Sequence, residues 1–285
     1  MKMDIYQTVT DSILAQLDAG TVPWKRPWKD MFSPRNLISD KRYNGINFLL
    51  LGMRGYKSPY WLTFKQGKTL GGAVRKGEKS TLITFWKFLE SKDDDGRKRQ
   101  IPLLRYYRVF NVEQFDGLKL PKRATEEPRE FEPIEAAKAI VEKYPKAPQI
   151  SHSGDRACYI PKRDSIHMPN PEDFDSSESY YSTLFHEMGH STGHSSRLDR
   201  GLDADLPSFG SEDYSKEELV AEFCSAFLCA EARMSQDQLP QSAAYIASWR
   251  KRLIEDPKLL IQAAGKAQKA ANYILDKDEY AKAAA

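Results

Sequence analysis

Between residues 186 and 190 the chain reads His186-Glu187-Met188-Gly189-His190, and no other feature narrows its possible folds as far. An H-E-x-x-H run brings two imidazoles to one metal ion only on a helix, where side chains at i and i+4 stand one above the other. The flanking residues predict that helix. Tyr181, Leu184, Phe185 and Met188 are spaced i, i+3, i+4, i+7 and form an apolar stripe. At about 100° per residue, His186 and His190 fall roughly opposite the stripe and within about 40° of each other. Glu187 lies to one side, where a carboxylate can take a proton from an activated water, so it is the expected catalytic base.

A catalytic zinc needs a third protein ligand and one open position. Downstream, Glu217-Glu218-Leu219-Val220-Ala221-Glu222-Phe223 places Glu218 and Glu222 one turn apart on a second predicted helix. This resembles the gluzincin arrangement, in which a second helix supplies a glutamate ligand and an acid four residues later orients a ligating histidine. By that pattern Glu218 is the ligand and Glu222 the orienting partner, although either carboxylate is free to reach the metal. His194 continues the i, i+4, i+8 series, but on a straight helix it sits about 6 Å further along the axis than His190. It is therefore read as an active-site or substrate-facing residue. Tyr214 and Arg197 are further candidates for steadying an oxyanion. Zinc is the default ion for His186, His190 and Glu218, while manganese, cobalt and iron suit the same donors.

Charge divides the chain in two. Residues 1–125 hold 24 Lys and Arg against 12 Asp and Glu, whereas residues 126–285 hold 19 against 28. A net +12 joined to a net −9 argues for two tasks, with a polyanion as the partner of the basic half. The division falls in a stretch with three prolines and dense mixed charge, from Leu120 to Pro133, which reads as a linker. Three cysteines without a C-x-x-C pair fit a reducing compartment. No apolar leader follows Met1, and the apolar run at 48–53 is too short to span a bilayer. The expectation is a cytoplasmic protein with no membrane partner.

Periodicity predicts a helix from Ile5 to Leu17 stopped by Gly20, weaker helices at 44–53 and 63–70, and two strands at 80–89 and 101–112 joined by a polar hairpin loop. In the second half a helix at 134–144 precedes short strands at 149–152, 156–160 and 165–168. Helices follow at 177–193, 215–232, 241–255 and 258–276. Strands followed by helices make an α+β domain.

The basic half interleaves rings with cations: Trp24-Lys25-Arg26-Pro27-Trp28-Lys29, Pro34-Arg35-Asn36, Lys41-Arg42-Tyr43-Asn44-Gly45 and Trp61-Leu62-Thr63-Phe64-Lys65-Gln66. Arg75-Lys76-Gly77-Glu78-Lys79 adds a basic turn. A single-stranded nucleic acid needs cations along its backbone and aromatic faces for its bases. The candidates are therefore Trp24, Lys25, Arg26, Trp28, Arg35, Asn36, Arg42, Tyr43, Trp61, Lys65, Gln66, Arg75, Lys76 and Lys79, with core packing the equal alternative for Trp24, Trp28 and Trp61. Trp86, inside an apolar strand, is expected in the core.

Those segments, with Tyr43-Asn44-Gly45-Ile46-Asn47, Gly71-Gly72-Ala73-Val74-Arg75-Lys76-Gly77-Glu78-Lys79 and Val109-Phe110-Asn111-Val112-Glu113-Gln114, resemble the N-terminal domain of ArdC-type antirestriction proteins, which is shared with TraC-type plasmid primases. The run from His186 to His194 and the Glu217–Glu222 segment resemble that family's zincin-like metallopeptidase domain. The resemblance implies an α+β chain of two domains, 1–125 binding single-stranded DNA and 126–285 holding a metallopeptidase site. It also implies protection of incoming plasmid DNA from host restriction, with a protein of the restriction system as the substrate to consider. The alternative is a DNA-binding shield or decoy whose metal is only structural.

Overall fold

The computed structural model describes residues 3–25, 33–92, 98–120, 132–203, 211–234 and 243–277. Mixed helices and strands form two compact units, one of Met1–Ser12 and Ser33–Pro128, the other of Ile13–Phe32 and Arg129–Ala285. The exchange between Pro128 and Arg129 falls in the proline-rich stretch expected to link two domains, but residues 13–32 join the second unit. Helix α1, Ile5–Asp18, thus begins in the first unit and continues into the second.

In the first unit, β1 (Arg35–Asn36) runs parallel to β2 (Tyr60–Thr63), which pairs antiparallel with β5 (Lys98–Asn111). β5 pairs in turn with β4 (Thr81–Lys92), and both strands run longer than the apolar pattern predicts. One face of this sheet packs Leu51, Trp61, Ile83 and Val109 together. A second cluster joins Leu37, Tyr60, Leu62, Val112 and Phe115. Helix α2 (Ile46–Gly52) contributes Leu51, and its Asn47 caps the outer edge of β4: the side-chain amide donates to Thr84 O at 2.6 Å and accepts from Thr84 N at 2.7 Å. Helix α3 (Phe64–Thr69) follows β2, and β3 (Ala73–Val74) pairs with β6 (Phe115–Asp116).

The second unit opens with α4 (Pro133–Lys143), started by a proline at a position that needs no N–H donor. A three-stranded sheet follows in the order β7 (Gln149–His152), β9 (Ser165–Met168), β8 (Cys158–Ile160). Then come α5 (Ser177–Ser191), α6 (Glu212–Glu231), α7 (Ala243–Glu255) and α8 (Leu259–Ile274). Ser176 and Ser211 cap α5 and α6 with their side-chain oxygens. Positions 219–230 of α6 are buried on every side, so α6 is the central helix of this unit.

Trp24 packs into this second core. It is fully buried, edge-on to Phe223 at 5.3 Å and to Trp249 at 5.8 Å. No helix among the described residues is long and apolar enough to cross a membrane.

Candidate metal centre

The site is built where α5 crosses α6. Gly189 makes the close crossing feasible: a Cβ there would stand 3.1 Å from Ala221 Cα and 3.2 Å from Cys224 Cβ. The neighbouring turns then bring His186, His190 and Glu218 together. His186 Nε2 lies 3.1 Å from His190 Nε2, and Glu218 places Oε2 at 3.6 Å from the first nitrogen and Oε1 at 3.4 Å from the second.

These spacings fit a divalent ion. Ligand atoms about 2.0–2.1 Å from a tetrahedral zinc are separated from one another by roughly 3.3 Å, close to the His186–His190 separation, and Glu218 faces each nitrogen with a different carboxylate oxygen. The electrostatics agree. Burial opposes charge on the His190 ring, but Glu217, Glu218 and Glu187 outweigh it and push its pKa up to about 10. Burial likewise raises the Glu218 pKa, yet His190, His186 and Tyr214 hold it down at about 2. The pocket is arranged to favour positive charge between these groups.

Around the three donors, each remaining side chain has a definite place. Glu187 is buried, and its Oε2 accepts the backbone N–H of Tyr159 on β8 at 2.7 Å, which fixes the carboxylate beside the site. Tyr214 hydrogen-bonds Glu218. Glu217 Oε1 stands 3.4 Å from His190 Nδ1. A carboxylate only accepts, so Nδ1 carries a hydrogen; with its pKa raised the free ring is protonated at Nε2 as well, and Nε2 is the nitrogen left for an ion once that proton is displaced. Arg200 donates from Nε to Glu217 Oε2 at 3.0 Å and binds Thr192 Oγ1 and Gly189 O as well, tying this carboxylate to the end of α5.

Glu217 is the residue that sequence reasoning missed. Glu222, assigned the orienting role by the gluzincin pattern, instead accepts the Tyr245 hydroxyl at 2.8 Å. The helix crossing determines which acid meets His190, and periodicity along one helix does not encode it. His194 leaves the ligand series because the helix ends at Ser191. Its ring meets Ser196 Oγ at 2.8 Å and Asp203 Oδ1 at 3.5 Å. Arg197, a candidate for oxyanion stabilisation, is buried in a bidentate pair with Asp164 and also contacts Tyr159 Oη.

The expected DNA contacts separate into different classes. Trp24 and Trp61 are core, at 0% and 2% exposure, and offer no ring face to a base. Asn36, Tyr43 and Gln66 form a polar knot. Asn36 Nδ2 donates to Gln66 Oε1 at 3.1 Å and to Tyr43 Oη at 3.4 Å, while Gln66 closes a capping box with Thr63. Arg35 is half-buried beside Asp40. Arg42, Lys65, Lys76 and Lys79 are exposed, as is Arg75, which pairs with Glu78 at 2.9 Å. Arg26 and Trp28 lie outside the described residues, and Lys25 is described only as the backbone end of a 3-10 turn. Trp86, expected in the core, is 45% exposed.

A family model for a zincin-like metallopeptidase matches residues 135–266, and one for the N-terminal domain of the anti-restriction factor ArdC matches residues 3–110. Two DNA primase TraC proteins of Escherichia coli are each 39% identical over 96% of this chain, which spans only 27% and 20% of their lengths. The uncharacterized protein y4eC of Sinorhizobium fredii is 36% identical over 95% of this chain and 91% of its own length. The crystal structure of the antirestriction protein ArdC from plasmid R388 in its metal-free form is 39% identical, with a TM-score of 0.76 over 96% of this chain and 97% of that one. Its Mn(II)-bound form is 38% identical, with a TM-score of 0.75 over 98% and 99%. The chain therefore belongs to the ArdC antirestriction family, with an ArdC-type N-terminal domain followed by a zincin-like one.

Proposed function

We propose that this chain is an antirestriction protein that binds single-stranded DNA with its basic unit and carries a metal-dependent peptidase site in the other. In this reading it protects incoming plasmid DNA by acting on a protein of the host restriction system. The observation that carries the catalytic part is the convergence of His186, His190 and Glu218 beside a buried, backbone-held Glu187.

His186 Nε2, His190 Nε2 and a Glu218 oxygen are the ligands, and zinc is the ion that best suits them. When bound, such an ion supplies a Lewis acid that acidifies a water and polarises a carbonyl. Glu187 takes the proton of the attacking water and delivers it to the leaving amine. Tyr214 has its hydroxyl at the site through Glu218 and is the candidate donor to the developing oxyanion. Glu217 and Arg200 hold the His190 ring in the tautomer that binds metal.

Glu187→Gln is the test, because it leaves the three ligands in place and removes only the base. The expected outcome is normal metal content with plasmid transfer into a restricting recipient losing its protection. Full protection by the metal-loaded variant would overturn the catalytic reading in favour of a DNA shield with a structural metal.

A further inference from the structure

The β4–β5 ribbon outgrows the sheet that anchors it. β2 pairs with β5 only from Val109 to Asn111, and Asn47 covers the outer edge of β4 at Thr84. From Phe85 and Arg105 outward, no third strand among the described residues flanks the pair. A two-stranded ribbon in water gains little from apolar display. Yet Trp86, Tyr106 and Tyr107 are 45%, 40% and 55% exposed.

Register sorts these rings onto two faces. Phe85 and Tyr107 share one face and already stack on each other at 4.7 Å and 13°. Trp86 opposes Leu104, and Tyr106 opposes Thr84, so Trp86 and Tyr106 are diagonal neighbours on the other face, about 7–8 Å apart at the backbone. Arg108, opposite Leu82, continues that same face. Lys87 and Arg105 are exposed on the reverse side of the ribbon. Among the described residues, no carboxylate pairs with Lys87, Arg105 or Arg108.

We infer that the Trp86–Tyr106–Arg108 face of the ribbon is the platform on which this chain stacks the bases of single-stranded DNA. The inference rests on the DNA-binding part of the proposed function and locates it away from the tryptophans that the sequence pattern favours. Unpaired bases offer apolar faces that two exposed rings on one face can meet, and an arginine at the end of the row meets the phosphates. A duplex keeps those faces buried in its own stack. Charge selects the same occupant, because the ribbon's described charged side chains, Lys87, Arg105 and Arg108, are all cationic and residues 1–125 carry a net +12.

The full-length protein, titrated with labelled oligothymidylate at fixed salt, tests this by fluorescence anisotropy. Substituting both exposed rings, Trp86→Ala with Tyr106→Ala, is expected to weaken binding roughly tenfold per ring, with an unchanged thermal melt. Trp86→Phe keeps a stacking face and retains most of the affinity. A second readout does not depend on the double variant folding: oligothymidylate should quench tryptophan emission in the wild type and do so far less in Trp86→Phe. Tight binding by the wild type with unchanged affinity in the double variant would overturn the platform while leaving DNA binding intact. Failure of the wild type to bind would remove the DNA reading and the platform with it. Equal affinity for a duplex, lost equally in the variant, would also overturn base stacking.

Discussion

Glu217 faces His190 Nδ1, which leaves Nε2 turned to the candidate metal site, and its neighbour Glu218 meets Nε2 directly. Two adjacent acids on one helix thus act on opposite sides of one imidazole, which is feasible because successive helical side chains diverge by about 100°. Replacing Glu217 with Gln removes the charge that supports the Nδ1–H and leaves the Arg200 guanidinium without its anionic partner. Metal affinity is expected to fall about 10–100-fold, read by competition with a chelator. Glu222→Gln serves as the control, since Glu222 accepts the Tyr245 hydroxyl; its affinity should stay within about twofold of wild type if Glu217 carries the effect. The pH dependence has a definite sign in both proteins. The histidines bind metal only when neutral at Nε2, so protons compete with the ion and metal retention falls as pH falls.

At the scale of elements, Gly189 opposes two principles. In an isolated helix, Ala in place of Gly is worth about 1 kcal/mol in favour of the helix. Here the added methyl meets Ala221 and Cys224 across the crossing, where both neighbours are buried backbone and core. Overpacking of this kind costs about 1–3 kcal/mol, and separating the helices also moves Glu218 away from the histidines. Gly189→Ala is therefore expected to destabilise the chain, and the stabilisation conferred by added Zn(II) in a denaturant titration should shrink with it. The helices themselves were legible because their apolar stripes and serine caps are local signals: α5 and α6 begin where Ser176 and Ser211 stand. Their crossing was not legible, and neither was the assignment of Glu217 over Glu222, because both depend on contacts between segments distant in sequence. The β4–β5 pair shows the complementary failure. An apolar, β-branched run predicts a strand correctly, but the run alone also places Trp86 in the core, whereas its ring is 45% exposed.

For the whole molecule, the charge division near residue 125 is readable in sequence, whereas the path of the chain is not. Trp24 sits in the basic half by number and among cations by motif, yet its ring is sealed between Phe223 and Trp249 of the acidic half. A fully buried tryptophan carries the same local sequence as an exposed one, so only the tertiary partner separates packing from recognition. The consequence is measurable. Removing its ring leaves a cavity beside the central helix, and large aromatic-to-alanine substitutions in cores cost about 3–5 kcal/mol. Because the chain forms two compact units, unfolding is expected in more than one step, and added Zn(II) marks the step that belongs to the second unit by raising it. Trp24→Ala should lower that metal-sensitive transition and leave the metal-insensitive one in place, with Trp24→Phe falling between alanine and wild type. Oligothymidylate affinity should be nearly unchanged in the folded variant, since the ring offers no face to a base. A variant that kept both transitions but lost DNA binding would place Trp24 at the nucleic-acid surface and overturn its assignment to the second core.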